Sequence, residues 1–299
     1  MPAHPLEPLA ALPGVVAAVD EARQACETLR WHRALRRQWP VARTEAGVRA
    51  AWACAVVDGV RFPVELVRDV ARGAAAPPGG ADGDVLTGAL RVQAAVERHM
   101  TAPGATSGVR VPFGQLVAGL HVAATGRSGE PEPVVTAGVA GRPRADEPPR
   151  DLRGLGPAPS GGELVSRLAA LGDLLAAPSS SAVPALVTAA VVHGEVLALR
   201  PFTHGNGAVA RGLFRHLITL GGVDPVGVVV PDVLWADEPA LYLSTAARFS
   251  TGTAEGVALW LRYCAASVVR GAQEGTAIAD AVVLGRIGSP AEPQVTQGT

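Results

Sequence analysis

The sequence predicts an all-α protein in which a small β-hairpin is the one extended element. Three observations lead there. Apolar residues recur at helical rather than alternating spacing along most of the chain. Aromatic residues make up only 4% of the 299 positions, and the β-branched runs that build a large sheet are scarce. Hydrophobic residues reach 48%, enough for a buried core and too many for a disordered chain.

Taken in order, an N-terminal helical region occupies residues 1–84, with helices expected at about 15–38, 44–57 and 63–73. A loop from Gly73 to Asp84, containing Pro77-Pro78-Gly79-Gly80, ends it. The larger helical unit, 85–275, carries helices expected at about 85–100, 112–125, 162–176, 183–198, 207–220, 238–249 and 254–273. Ser160 and Glu163 have the spacing of a capping box, and Pro184 suits the first turn of its helix, where no amide is needed. Between Gly126 and Pro159 the chain is rich in Gly, Pro and Arg. Within that stretch Pro133–Val139 is the hairpin candidate. Residues 276–299 close the chain as a tail whose last part is polar and without a period.

Charge and composition exclude several functions. Lys and Arg total 26 against 27 Asp and Glu, so no net field steers the chain toward nucleic acid or an anionic membrane. All the cations are arginine. Without lysine there can be no P-loop lysine, no kinase strand lysine and no Schiff-base amine. Cys26, Cys54 and Cys264 form no C-x-x-C pair, which argues against a disulfide framework and a thiolate zinc site and for a reducing compartment. The first twenty residues lack the basic start of a secretory signal. The apolar stretch Ala182–Leu199 carries Pro184, Thr188, His193 and Glu195, which are costly in a bilayer. A soluble cytoplasmic protein with neither nucleic acid nor membrane as partner is expected.

The chemistry concentrates in Leu199–Arg215. A helix ends near Leu199, Pro201 stops it, and the only asparagine of the chain sits in Gly205-Asn206-Gly207 before a new helix. Amides of a glycine-rich turn at a helix N-terminus converge on one point and favour an anion there. Arg211, one turn on, can aim a planar fork of donors at the same place. These residues propose a phosphate site at Gly205, Asn206, Gly207 and Arg211. A plain tight connection between two helices, with no ligand, is the other reading of the same turn.

The line R-P-F-T-H-G-N-G-A-V-A-R over 200–211 resembles the Fic (Fido) motif H-P-F-x-D/E-G-N-G-R-x-x-R. Pro201, Phe202, Gly205, Asn206, Gly207 and Arg211 match; Arg200, His204 and Ala208 depart. The similarity extends over Phe113–Arg270, with Ala189–His193 resembling the helix before the loop and Tyr242 and Trp260 the later ones. It implies a Fic-like helical core with a β-hairpin flap that clamps a target segment, and ATP or another nucleotide as ligand. It further implies transfer of AMP to Ser, Thr or Tyr of a protein target, with the motif histidine as base and the acidic residue on Mg²⁺. Arg200 stands in the place of that histidine, and a guanidinium accepts no proton at neutral pH. His204 stands in the acidic place, and imidazole suits Mg²⁺ poorly. Upstream, Cys54-Ala-Val-Val-Asp58-Gly59 resembles the family's inhibitory helix S/T-x-x-x-E-G/N, which implies pairing of Asp58 with Arg211. A plain helix end with Gly59 as its C-terminal glycine is the other reading of those residues.

No metal site is expected. His193 and His121 lie on apolar helices as core residues, and His4, His32, His99 and His216 form no close ligand pair. Trp31, Trp39, Trp52, Trp235 and Trp260 read as packing anchors, since no basic residues interleave them as a stacking platform requires. The expected function is a Fic-like protein that keeps a nucleotide or phosphate loop and is impaired in AMP transfer. The alternatives are a transferase of altered chemistry with His204 as base, and a helical scaffold for a protein partner.

Overall fold

The computed structural model describes residues 4–105, 111–126, 140–178 and 180–287, and among these all regular structure is helical. The helices are α1 (Glu7–Ala10), α2 (Val15–Arg30), α3 (Trp39–Val57), α4 (Val64–Ala71), α5 (Gly80–Arg98) and α6 (Phe113–Thr125). They continue with α7 (Gly161–Ala176), α8 (Ala185–Leu199), α9 (Asn206–Leu220), α10 (Asp232–Asp237), α11 (Pro239–Ser250) and α12 (Ala254–Val283). Short 3₁₀ turns lie at Arg33–Arg36 and Arg153–Leu155. The expected hairpin over 133–139 falls outside the described residues.

Several boundaries differ from expectation for local reasons. The helix expected over 15–38 ends at Arg30, because the His32 ring accepts from the Ala34 amide at 3.3 Å and starts a separate 3₁₀ turn. α3 begins at Trp39 with Pro40 in its first turn, where a missing amide costs nothing. α12 continues to Val283 because Ile278, Ala279 and Val282 keep the helical spacing and are buried. At Ser160, the N-cap of α7, the hydroxyl bonds no amide, so the expected capping box does not form. The six-residue α10 is too short to show a period and was not foreseen. The boundaries expected at 84/85 and 275/276 lie inside α5 and α12, and one core joins the N-terminal helices to the rest.

α9 is the centre of the fold, with every residue from Asn206 to Ile218 buried against α5, α6 and α8. Two arginines one turn apart, Arg211 and Arg215, therefore sit fully buried on one helix. Arg215 is held by acceptors from two directions: Nη1 donates to Gln93 Oε1 at 2.8 Å and Nη2 to the Gly227 carbonyl at 2.9 Å. Beneath α9, His193, Phe214, Trp235, Tyr242 and Trp260 form a continuous ring cluster. His193 and Tyr242 meet at 2.9 Å, and Trp260 Nε1 donates to the Ala190 carbonyl at 2.8 Å. His193 is thus the core histidine that its apolar helix suggested.

Candidate functional site

The turn between α8 and α9 is locked by its own asparagine. Asn206 Oδ1 accepts from the Phe202 amide and Nδ2 donates to the Phe202 carbonyl, both at 2.9 Å. Phe202 is buried and His121 stacks on it at 3.7 Å between ring centroids. Burial, with a contribution from His204, pushes the His121 pKa down to about 4, so that ring is neutral. Gly205 adopts a φ of 75°, the left-handed conformation that favours glycine, and turns the chain into α9.

The last turn of α3 reaches the first turns of α9. Arg211 Nη2 donates to Asp58 Oδ2 at 2.6 Å, and Nε and Nη2 lie 3.3 and 3.2 Å from Cys54 Sγ. The Gly59 amide donates to the Val56 carbonyl and the Val60 amide to the Ala55 carbonyl, with Gly59 at φ 89°. That is a Schellman end, so Gly59 is the helix-terminating glycine, and its turn presents Asp58 to Arg211, the pairing expected from the upstream motif. Burial opposes the Arg211 charge, but Asp58 together with Cys54 and Tyr242 outweighs it and holds the guanidinium above its ordinary pKa. Burial pushes the Cys54 thiol up to about 12, against the pull of Arg211, so the sulfur is an un-ionised packing partner. A Cβ on Gly207 would stand 3.0 Å from Arg211 Nη1 and 3.3 Å from Asp58 Oδ1, which is why glycine fits between the pair and the turn.

Asp151 was not foreseen. Its Oδ2 accepts from the Asn206 backbone amide at 2.8 Å and its Oδ1 from Asn206 Nδ2 at 2.7 Å, which places a carboxylate at the N-terminus of α9. Asp151 lies 55 positions from its partner in a Gly- and Pro-rich stretch without periodicity, so no local signal marks it. Arg200 is bound to the same segment. Its Nη1 donates to the Leu152 carbonyl at 3.0 Å and its Nη2 to the Gly156 carbonyl at 2.6 Å. Arg144 backs the loop from behind, with Nε on the Arg200 carbonyl at 2.8 Å.

His204 is exposed, its Nδ1 3.0 Å from Thr203 Oγ1 and its ring edge-on to His121. Gly207 and Ala208 are buried, and among the described residues no acceptor meets their amides. Arg211 Nη1 is likewise buried without a hydrogen-bond partner. Behind Arg211 lies a second carboxylate that the sequence did not flag, Asp232, fully buried with neither oxygen hydrogen-bonded. Burial pushes its pKa up to about 6, opposed by Arg211 and Arg215. Among the described residues no group of three His, Cys, Asp or Glu side chains is placed to hold a metal ion, and no helix is long and apolar enough to cross a membrane. A cavity of about 900 Å³ lies between α6, α7, α8 and α9, lined mainly by apolar side chains that include Phe202 of the loop.

No family model and no curated protein matches the sequence. Solved structures match it over most of its length. A Fic family protein from Desulfovibrio desulfuricans G20 superposes with a TM-score of 0.66 at 18% identity, over 89% of this chain and 74% of that one. Fic-1 from C. elegans gives 0.62 at 18% identity over 90% and 73%. A Fic domain containing signaling protein from Bacteroides thetaiotaomicron VPI-5482 gives 0.61 at 11% identity over 88% and 98%. Helical architecture, a locked G-N-G turn opening a buried central helix, and these superpositions lead to one statement: the chain has the Fic-domain fold.

Proposed function

We propose that this Fic-fold protein is a nucleotide- or phosphate-binding module that does not transfer AMP. The observation that carries the reading is the placement of Arg200. It occupies the motif position of the base, is charged at neutral pH, and commits two donors to the Leu152 and Gly156 carbonyls. No proton acceptor of that kind stands at this position. The loop's donor set does not suit Mg²⁺ either, since the acidic position carries the His204 imidazole and both Asp151 oxygens already accept from Asn206.

Anion-binding capacity persists. The amides of Gly207 and Ala208 and Arg211 Nη1 lie together at the start of α9 with no acceptor among the described residues. Asp58 sits against Arg211 and competes with an incoming phosphate. A second reading, an altered transferase with His204 as base, draws on the exposure of that ring at the loop surface.

Calorimetric titration with ATP, ADP and pyrophosphate tests the proposal on wild type, Asp58→Ala and Arg211→Ala. Asp58→Ala should bind at least about tenfold more tightly than wild type, a change of about 1.4 kcal/mol, and Arg211→Ala should lose binding. No binding in any variant would refute the phosphate reading and leave the helical scaffold.

A further inference from the structure

The segment 144–156 lies across the motif loop and is tied to it along its length. The Arg144 amide donates to the Pro201 carbonyl and the Arg150 amide to the Thr203 carbonyl, both at 2.7 Å. Asp151 follows with its two contacts to Asn206, and Arg200 reaches back to Leu152 and Gly156. Among the described residues only two that are not glycine have positive φ, Leu152 at 51° and Arg200 at 44°. They stand at the two ends of one hydrogen bond. Such conformations cost energy and persist where the surroundings hold them. The carboxylate carries its own cost, because burial pushes the Asp151 pKa up against the two donors of Asn206.

We propose that Asp151 is an internal ligand of the α9 anion cradle, and that segment 144–156 is a strap which a phosphate-bearing ligand displaces. The proposal rests on the phosphate reading of the loop. Asp151 satisfies the first amide of α9 and the Asn206 side chain, and leaves the buried Gly207 and Ala208 amides and Arg211 Nη1 without an acceptor. A carboxylate offers two oxygens in a plane, whereas a phosphoryl group offers three oxygens in a tripod, which serves more of those converging donors. Arg200 becomes a positioning residue in this arrangement: its guanidinium fastens the strap that carries the blocking carboxylate.

Hydrogen exchange on the full chain, with and without inorganic pyrophosphate, tests the strap in wild type, Asp151→Ala and Asp151→Asn. Asp151→Ala should speed exchange over 144–156 and 205–208 while α12 stays unchanged. Asp151→Asn keeps one acceptor and should give a smaller change, which also guards against a variant that fails to fold. Pyrophosphate added to wild type should speed exchange over 144–156 and slow it over 205–208. It should bind Asp151→Ala at least about tenfold more tightly than wild type. Unchanged exchange over 144–156 in both variants overturns the proposal, as does pyrophosphate protecting 205–208 in wild type without loosening 144–156. If no variant takes up pyrophosphate while Asp151→Ala still loosens 144–156, the phosphate reading falls and ligand displacement of the strap falls with it, and Asp151 only fastens 144–156 to the loop.

Discussion

Replacing Asp58 by alanine removes the only carboxylate that, among the described residues, meets Arg211 within hydrogen-bonding distance. Arg211 is fully buried, and its other partners among the described residues are the Cys54 sulfur and carbonyl and the Tyr242 hydroxyl. Breaking a buried ion pair from one side costs about 3–5 kcal/mol. The Asp58 side chain is 28% exposed, so water can enter where the carboxylate stood and lower the loss to about 2–3 kcal/mol. For a chain of this length that is a fall in Tm of roughly 3–5 °C. Urea denaturation of wild type, Asp58→Ala, Arg211→Met and the double variant gives the coupling directly. A coupling energy of about 1.5 kcal/mol or more is expected, because the double variant leaves no stranded buried cation. Additive losses, with coupling below about 0.5 kcal/mol, would refute the claim that this contact holds α3 to α9.

Restoring the motif histidine with Arg200→His should not confer AMP transfer, because Asp151 still caps Asn206 and position 204 is still histidine. It should cost about 2 kcal/mol in denaturant unfolding through the two lost carbonyl contacts. Asp232→Asn should be more stable than wild type above pH 6, by about 3 kcal/mol at most, since a folded pKa of about 6 against 3.8 unfolded penalises the charged form. That advantage should shrink as pH falls through 6 and be gone only below about 3.8, where the carboxyl is protonated in both states. Comparing the two proteins isolates Asp232 from His121 and His216, whose pKa values near 4 give the opposite slope. Trp260→Ala should cost about 3–5 kcal/mol, read as a lower urea midpoint, because the ring is fully buried and its Nε1 holds the Ala190 carbonyl.

The residues that local spacing exposes were the legible ones. Gly59 and Gly205 mark left-handed turns, Pro201 marks a helix stop, and the four-residue step from Cys54 to Asp58 puts both groups on one helix face toward Arg211. Helix interiors followed from periodicity, whereas the end of α12 at Val283 depended on the burial of Ile278, Ala279 and Val282. Asp151 was invisible because its meaning comes from a contact with Asn206 across a segment with neither period nor motif. Asp232 was hidden for a related reason, since only the fold buries it beside Arg211 and Arg215. Arg200 was seen as a cation near the loop, but its backbone ends α8 in the left-handed region and its side chain serves the strap.

The central claim is that this Fic-fold protein has a closed phosphate loop and no AMP transfer. It is tested most directly by incubating wild type and Asp58→Ala with radiolabelled ATP, divalent metal and a cell lysate, and measuring label on the protein itself and on lysate proteins. The account predicts no transfer by either protein. Label that appears with wild type or Asp58→Ala and disappears when Asn206 is changed to alanine would contradict it.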